Sequence, residues 1–251
     1  MLPTPSTSHV DFERIYEPAE DSYLLLDTLS SETEKAFLHQ RFKNSPAPFA
    51  VEIGTGSGVV ISFLHAHAET IFGRADILTA GVDVNRYACE ATKETVRVAE
   101  GKSKSHGFYS GSILGDLGSS LRAGMVDVLV FNPPYVPTPD LPALPEGKGR
   151  LSSFEEDSHL LALSYAGGAD GMETTDRLLD ALPEILSPDR GCAYILLCAQ
   201  NKPDKVKERI SAWGAAWKVE TVGRSGKKAG WEKLQIIRIS CVPPLAQEIL
   251  K

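Results

Sequence analysis

The chain has 251 residues, of which 42% are hydrophobic and 24% are charged, a balance typical of a folded protein with a substantial core. Its formal net charge is −7 and its basic residues form only short clusters, which argues against a protein that grips a nucleic-acid backbone by itself. None of the four cysteines belongs to a Cys-x-x-Cys pair, so a cysteine metal site is not expected, and no apolar run reaches the length of a membrane span.

The first half of the chain predicts a flexible leader followed by alternating helices and strands. Residues 1–15 form the leader, and apolar residues then recur at helical spacing between Glu20 and Ser30. Ser31 with Glu34 three residues later is the signature of a capping box, which opens a second helix. From there we predict strands at 49–53, 77–82, 107–113 and 126–131 and helices at 59–68 and 85–100.

The second half resumes this alternation after a polar segment. Residues 137–157 are rich in proline, glycine and charge, which predicts a mobile loop. Helices are then expected at 174–186 and 205–213, and strands at 192–198, 217–222 and 234–241. The loop between the last two strands is too short for a crossover helix, so these strands must form an antiparallel hairpin. The pattern predicts one α/β domain over residues 16–242, an open, mostly parallel sheet with helices on both faces, and a tail at 243–251.

The most informative motif is Asn132-Pro133-Pro134-Tyr135, directly after the apolar run that ends at Phe131. The amide oxygen of Asn132 and the carbonyl of Pro133 can both accept hydrogen bonds from one –NH₂ group, and the prolines hold the backbone rigid. Tyr135 can stack on a flat guest. The motif therefore predicts a clamp for a planar amino or amide group, and the alternative is a simple turn at the end of a strand.

A second motif, Glu52 to Gly58, lies between a predicted strand and helix and carries glycines at positions 54, 56 and 58. Its pattern differs from the dinucleotide fingerprint and from a phosphate-binding loop, and by itself it could be only a structural turn. Asp83 ends the next strand, where a carboxylate can accept hydrogen bonds from ribose hydroxyls. Asp116, before Leu117, follows the third strand and could accept an adenine amino group or cap a helix. Because parallel strands present their carboxyl ends at one edge, these residues and Asn132 should share a cleft.

Together these residues resemble class I S-adenosylmethionine-dependent methyltransferases, and more narrowly the HemK-type glutamine methyltransferases that modify class 1 translation release factors. The segments Tyr16–Ser22 and Ala166–Gly171 resemble the eukaryotic and archaeal branch of that family, although residues 137–157 look longer than its usual pattern. The resemblance implies a Rossmann-like seven-stranded class I methyltransferase sheet. It also implies S-adenosylmethionine as cofactor, bound by the glycine turn (Glu52, Gly54, Gly56, Gly58) with Asp83, Asp116, Leu117 and Asn132.

The resemblance further implies a substrate and a partner. The substrate is the glutamine of the Gly-Gly-Gln motif in the eukaryotic release factor, methylated through Asn132, Pro133 and Tyr135 with Pro134 also in contact. The partner is a small zinc-binding activator protein, which should pair with the exposed strand 107–113 in a heterodimer. Ser22 is a candidate contact for the amino-acid end of the cofactor, and its alternative is an exposed helical serine.

Other functions remain open from the sequence. The same clamp would hold the exocyclic amine of adenine, so a DNA or RNA adenine methyltransferase is the first alternative, although the acidic composition counts against it. Histone lysine is another substrate attributed to this branch, and a cofactor-sensing subunit without activity is a third possibility. Reduced thiols and no secretory-signal pattern predict a cytoplasmic protein, with the nucleus as a second location.

Overall fold

A computed structural model describes residues 2–144, 153–226 and 233–242 of the chain. A seven-stranded sheet runs through the described part in the order β3-β2-β1-β4-β5-β7-β6. Strands β1 to β5 pair in parallel, whereas β7 lies antiparallel between β5 and β6. The predicted mostly parallel α/β sheet with an antiparallel hairpin at its end is therefore confirmed.

The strands are β1 Phe49–Ile53, β2 Leu78–Asp83, β3 Phe108–Leu114, β4 Val128–Phe131, β5 Cys192–Cys198, β6 Trp217–Arg224 and β7 Leu234–Cys241. The helices are α1 Glu20–Leu29, α2 Glu32–Phe42, α3 Val59–Ala66, α4 Ala68–Phe72, α5 Arg86–Glu100, α6 Ser153–Tyr165, α7 Glu173–Ile185 and α8 Pro203–Ser211. Most of these elements match the sequence prediction to within a few residues.

Apolar side chains cover both faces of the sheet, and the two central strands β4 and β5 are hydrophobic at every position. Along β4, Val128 and Val130 pack into one cluster with α1 to α4, while Leu129 and Phe131 pack into another with α7 and α8. A strand buried on both faces needs this continuous apolar run, since successive side chains point to opposite sides. Removing a single large side chain from such a core costs about 2–5 kcal/mol.

Helix α6 is absent from the sequence prediction, which extended a loop to Asp157. The segment carries few apolar residues in its first turns, so its periodicity is weak. In the structure Leu160 is buried, and this helix closes one side of the cavity described below. The described part of the predicted loop, residues 137–144, contributes Pro142 and Leu144 to the same cavity, and residues 145–152 lie outside the described part of the chain.

The leader, residues 1–15, was predicted to be flexible, but its described part packs against the domain. Val10 and Ile15 are buried, and the carbonyl of Pro3 accepts a hydrogen bond from His67 at 2.7 Å. Arg14 forms an ion pair with Asp157 of α6 at 2.9 Å. The segment therefore lies against the domain. The predicted tail at 243–251 lies outside the described residues.

The predicted capping box at α2 is half formed. The hydroxyl of Ser31 accepts a hydrogen bond from the backbone N–H of Glu34 at 3.3 Å, as expected. The side chain of Glu34 does not return to Ser31, because its carboxylate accepts hydrogen bonds from Tyr194 at 2.8 Å and Arg238 at 2.6 Å inside the domain. Tertiary partners have thus replaced a local one.

The amino end of the sheet is held by a partly buried ion pair. Asp127, directly before β4, accepts two hydrogen bonds from the guanidinium of Arg190, at 2.8 and 2.9 Å, and one from the backbone N–H of Phe49 at 2.9 Å. A charge with this many partners can stay buried without a large net penalty.

No helix in the described residues is both long and apolar enough to cross a membrane.

Candidate functional site

The carboxyl ends of β1, β2, β3 and β4 meet at a cavity of about 340 Å³. This is the edge where open α/β sheets bind ligands, and the volume lies in the range of small-molecule sites. The cavity brings together the following residues that the sequence nominated: Ser22, Glu52, Gly54, Gly56, Asp83, Asp116, Leu117, Asn132, Pro133, Pro134 and Tyr135.

Gly58 is the nominated residue that does not line the cavity. Its φ is +76°, and a Cβ there would lie 2.6 Å from the Cα of Thr92 on α5. Glycine at this position therefore allows the turn and lets α3 approach α5 closely. The expectation that Gly58 contacts the cofactor is replaced by a packing role.

Asp83 lies where the sequence placed it, buried at the end of β2. Its carboxylate accepts hydrogen bonds from the backbone N–H groups of Gly56 at 2.9 Å and Asn85 at 2.8 Å. A carboxylate offers about four acceptor positions, so some remain for a ligand with hydroxyl groups. Burial raises the pKa of Asp83, and the hydrogen bonds from Gly56 and Asn85 oppose that rise.

The carboxylate of Glu52, like that of Asp83, is fixed by the protein backbone. Its carboxylate accepts a hydrogen bond from the backbone N–H of Ile61 at 2.8 Å, which satisfies one of the free amides in the first turn of α3. Burial raises the pKa of Glu52 well above its usual value, and the nearby charge of Asp83 adds to the rise. Glu52 thus fixes the helix that follows the glycine turn.

Asp116 lines the cavity but has a partner that the sequence did not indicate. Its carboxylate accepts a hydrogen bond from Arg177 of α7, which also lines the cavity. The alternative role as a helix cap is wrong, because residues 115–121 form turns rather than a helix. Leu117 follows with φ of +49°, an uncommon conformation for leucine that directs the chain past the cavity.

Asn132 carries the feature that distinguishes this site. Its Nδ2 donates to the carboxylate of Asp21 at 3.1 Å. Because a carboxylate only accepts, this contact orients the amide and turns Oδ1 the other way. Within the described part of the chain, Oδ1 is buried and has no hydrogen-bond partner. A buried acceptor left open costs about 1–3 kcal/mol, so it marks a place that a ligand completes.

Ser22 follows Asp21 on α1 and is buried, so the alternative of an exposed helical serine is wrong. Its backbone N–H and its hydroxyl both donate to Oδ1 of Asp21, at 2.6 and 3.3 Å. Asp21 is therefore fixed by Ser22 on one oxygen and contacts Asn132 through the other. The sequence analysis quoted the segment Tyr16–Ser22 without singling out Asp21, whose acidic side chain next to Ser22 was the available signal.

The backbone of the clamp is braced by the glycine-rich segment Ala166–Gly171. A Cβ at Gly167 would lie 2.4 Å from the carbonyl oxygen of Pro134, and one at Gly171 would lie 2.0 Å from that of Tyr135. Only glycine permits so close an approach. Asn201 joins the two segments, because its Nδ2 donates to the carbonyls of Tyr135 and Asp170 at 2.9 Å each. Nothing in the sequence pattern around Asn201 indicated this role.

No family model matches the chain, but individual relatives do. It is 35% identical to the eRF1 methyltransferase catalytic subunit mtq2 of Schizosaccharomyces pombe over 95% of this chain and 96% of that protein. It is 34% identical to Methyltransferase HEMK2 of Mus musculus over 95% and 97%, and 32% identical to the Homo sapiens protein of the same name over 94% and 96%. The chain belongs to the HEMK2 family of methyltransferases.

Solved structures show the same fold at low sequence identity. The N-terminal domain of human METTL16, solved in complex with SAH, matches with a TM-score of 0.54 and 13% identity over 92% of this chain and 74% of that one. A METTL16 methyltransferase domain matches with a TM-score of 0.51 over 92% and 87%. The class I methyltransferase fold that the resemblance implied is therefore confirmed. The cavity at the carboxyl ends of β1 to β4 is the candidate active site of this chain.

Proposed function

We propose that this protein transfers a methyl group from S-adenosylmethionine to the side-chain amide nitrogen of the glutamine in the Gly-Gly-Gln motif of the eukaryotic class 1 release factor. Membership of the HEMK2 family and the name of the fission-yeast relative, an eRF1 methyltransferase catalytic subunit, support this assignment. The observation that carries it is the open acceptor Oδ1 of Asn132, buried at the end of β4 beside the Pro133 carbonyl.

The residues on the sheet edge suit the cofactor. The turn at Gly54 and Gly56 has positive φ angles of 66° and 51°, and a Cβ at Gly56 would meet nothing within 4 Å, so a ligand can approach the backbone there. Asp83 has acceptor positions left for the two ribose hydroxyls. Ser22 also lines the cavity and would contact the amino-acid part, and Asp116 keeps an oxygen for the adenine amino group while it binds Arg177.

On the protein side, Asn132 and Pro133 would activate the amide nitrogen of the substrate. The cofactor supplies an activated methyl group on its sulfonium centre. An amide nitrogen is a poor nucleophile because its lone pair is delocalised into the carbonyl. Asn132 Oδ1 and the Pro133 carbonyl would accept hydrogen bonds from both N–H groups, localise that lone pair and stabilise the positive charge that develops on nitrogen. That charge makes the remaining N–H protons acidic, so one of them would pass to water and leave the neutral methylated amide. Tyr135 would hold the amide plane, and Asp21 would keep Asn132 turned towards it.

The test is Asn132→Ala, assayed with tritiated S-adenosylmethionine and release factor, histone and adenine-containing DNA side by side, with and without the activator. We expect turnover on the release factor to fall at least ~100-fold, the magnitude typical of losing one transition-state hydrogen bond, while the cofactor still binds. Asn44→Ala, an exposed asparagine outside the cavity, is the control. A methyl group found only on adenine or on histone lysine, or full activity of Asn132→Ala, would contradict the proposal.

A partner is proposed for the edge of the sheet at β3. This strand pairs only with β2 in the described structure, and three of its apolar side chains, Phe108, Ile113 and Leu114, are 68%, 41% and 62% exposed. An open strand edge with apolar side chains favours pairing with another chain. We place the small zinc-binding activator there, adding its own strand to make a heterodimer.

Phe108→Glu tests this interface by co-purification with the activator. We expect the complex to be lost, because a charge would be buried against an apolar partner. Met125→Glu makes the same change at another exposed apolar residue away from β3 and should leave the complex intact. Equal retention of the activator by both variants would place the interface elsewhere.

A release-factor methyltransferase should act in the cytoplasm, with the nucleus as a second location. Fluorescence imaging of the tagged chain would test this location.

A further inference from the structure

Three potential metal ligands converge at the start of the β3 edge, well away from the clamp. His65 lies in the last turn of α3, Glu100 ends α5, and His106 lies just before β3. We name these three residues the His65 cluster. One side-chain atom from each lies within 4.8 Å of the other two. His65 is fully buried, Glu100 is 36% exposed and His106 is exposed, so the cluster opens to solvent on one side.

Each nitrogen of the His65 ring has a polar partner. Nδ1 contacts the hydroxyl of Thr79 at 3.0 Å, and Nε2 contacts the carboxylate of Glu100 at 3.1 Å. A neutral imidazole carries its proton on one nitrogen, so in the tautomer that donates from Nδ1 to Thr79 the lone pair of Nε2 points at the carboxylate. A cation between Nε2 and the carboxylate would then contact a lone pair from each.

The distance between Nε2 of His65 and the Glu100 oxygen, 3.1 Å, suits two ligands of one metal ion. With zinc-to-nitrogen and zinc-to-oxygen bonds near 2.0–2.2 Å in a tetrahedral site, two ligand atoms lie about 3.3 Å apart.

The second histidine has the same arrangement. Nδ1 of His106 contacts the carbonyl of Gly107 at 2.9 Å, which makes Nδ1 the donor and leaves Nε2 with its lone pair. Metal-binding histidines nearly always donate their other N–H to a carbonyl, hydroxyl or carboxylate in this way. The two imidazole rings stack with centroids 5.1 Å apart, which places His106 beside the His65–Glu100 pair.

We propose that the His65 cluster binds one divalent transition-metal ion, with Zn²⁺ as the best match, through Nε2 of His65, a carboxylate oxygen of Glu100 and Nε2 of His106. Two imidazoles and one carboxylate are ligands that zinc accepts, whereas Mg²⁺ and Ca²⁺ require oxygen. The fourth position faces solvent and takes water or a ligand from a bound partner. The ion would tie the ends of α3 and α5 to the start of β3, which fixes the edge strand. This inference does not depend on the proposed substrate.

Zinc titration of the full-length chain, by competition with a chromophoric chelator, tests the proposal. We expect one Zn²⁺ per chain and a rise in melting temperature with zinc, and Co²⁺ should show the visible bands of a tetrahedral site. His106→Ala and Glu100→Gln, both at solvent-accessible positions, should weaken binding at least ~100-fold, and Thr79→Val about 10–100-fold as the loss of an orienting partner. His39→Ala is the matched control, since that histidine is also exposed and contacts one backbone carbonyl.

The thiols are weak competitors for the ion, since burial raises the pKa of Cys89 to about 11 and that of Cys192 to about 12. Zinc affinity equal in the wild type, His106→Ala and Glu100→Gln would overturn the proposal. The same holds if His39→Ala weakens binding as much as His106→Ala does, because zinc would then bind to surface histidines in general. Circular dichroism of each variant shows whether it is folded. If His106→Ala does not fold, the zinc affinity of Glu100→Gln still tests the proposal.

Discussion

Asp127 and Asn132 stand at the two ends of the same strand, five positions apart along the chain, and their surroundings differ sharply. Asp127 is buried at the amino end of β4, where Arg190 and the backbone of Phe49 satisfy its carboxylate. Asn132 is at the carboxyl end, where Asp21 holds its nitrogen and its oxygen is left without a partner in the described structure. One end is complete without a ligand and the other is not.

The difference separates residues that stabilise the fold from residues that do chemistry. A buried polar group that the protein itself satisfies contributes to the free energy of folding, whereas one left open lowers stability and is retained for binding. The two ends of one strand should therefore respond oppositely to mutation. Changes at the amino end should affect stability, and changes at the carboxyl end should affect binding and turnover.

The largest effect is expected at the amino end. Asp127→Ala removes three hydrogen bonds and leaves the Arg190 guanidinium, which is 25% exposed, without its charge partner. Breaking a buried pair costs about 3–5 kcal/mol, and solvent access for Arg190 places this variant near 3 kcal/mol. Urea denaturation measures the change, and cofactor affinity of the folded fraction should be unaltered. A stability equal to that of the wild type would remove the contrast between the two ends.

Asp83 provides the corresponding test at the carboxyl end. Asp83→Ala loses the acceptor for the ribose hydroxyls, and each charge-assisted hydrogen bond is worth about 1.5–3 kcal/mol. Calorimetry should show cofactor affinity reduced tenfold or more. Asp83→Asn keeps an oxygen for only one of the two amides, because the N–H groups of Gly56 and Asn85 bind different carboxylate oxygens, so its affinity should lie between those of Asp83→Ala and the wild type. Unchanged affinity in both variants would exclude Asp83 from the site.

Asp21 sharpens the comparison because it acts through Asn132. Asp21→Ala frees the Asn132 amide to rotate, so about a tenfold fall in kcat is expected, with the cofactor Kd unchanged. Asp21→Asn retains only one oxygen, which cannot accept from both Asn132 and Ser22, so only partial recovery of activity is expected. Asp27→Ala, an exposed acid on the same helix, is the control. Full activity of Asp21→Ala would show that Asn132 is oriented without Asp21.

Sequence patterns were most informative where local chemistry decides the structure. Strand β4 and the clamp after it were predictable because an apolar run of this kind is buried on both faces and Asn-Pro-Pro ends it. Residues brought together over long separations were not. Arg177 reaches Asp116 across 61 positions, and Asn201 reaches Tyr135 across 66, and no spacing rule indicates either contact.

The errors in the prediction have the same origin. Composition alone made residues 137–157 a loop, yet α6 begins at Ser153, where contacts such as that of Asp157 with Arg14 of the leader outweigh weak periodicity. Gly58 belongs to a ligand-binding pattern, but the approach of Thr92 on α5 explains it. Tertiary packing, which a single sequence does not display, overrides local propensity at these positions.

Glu52 gives the most specific test, because its ionisation couples the site to stability. Burial raises its pKa in the folded protein above the value of about 4.3 in the unfolded chain. The folded state therefore holds the proton to higher pH, so the stabilising contribution is complete below the unfolded pKa and is lost as the pH rises through the folded pKa. Asp83, whose pKa is also raised, contributes a slope of the same sign.

Glu52→Gln should therefore gain stability relative to the wild type as the pH increases from about 5 to about 8, because glutamine needs no proton to stay neutral. Its amide oxygen can still accept from the N–H of Ile61, so the first turn of α3 is kept. Urea denaturation at each pH without cofactor measures the difference, and Glu69→Gln, at an exposed position, should run parallel to the wild type. Parallel curves for Glu52→Gln and the wild type would mean that Glu52 is ionised in the fold, and the turn would then carry a buried negative charge beside Asp83.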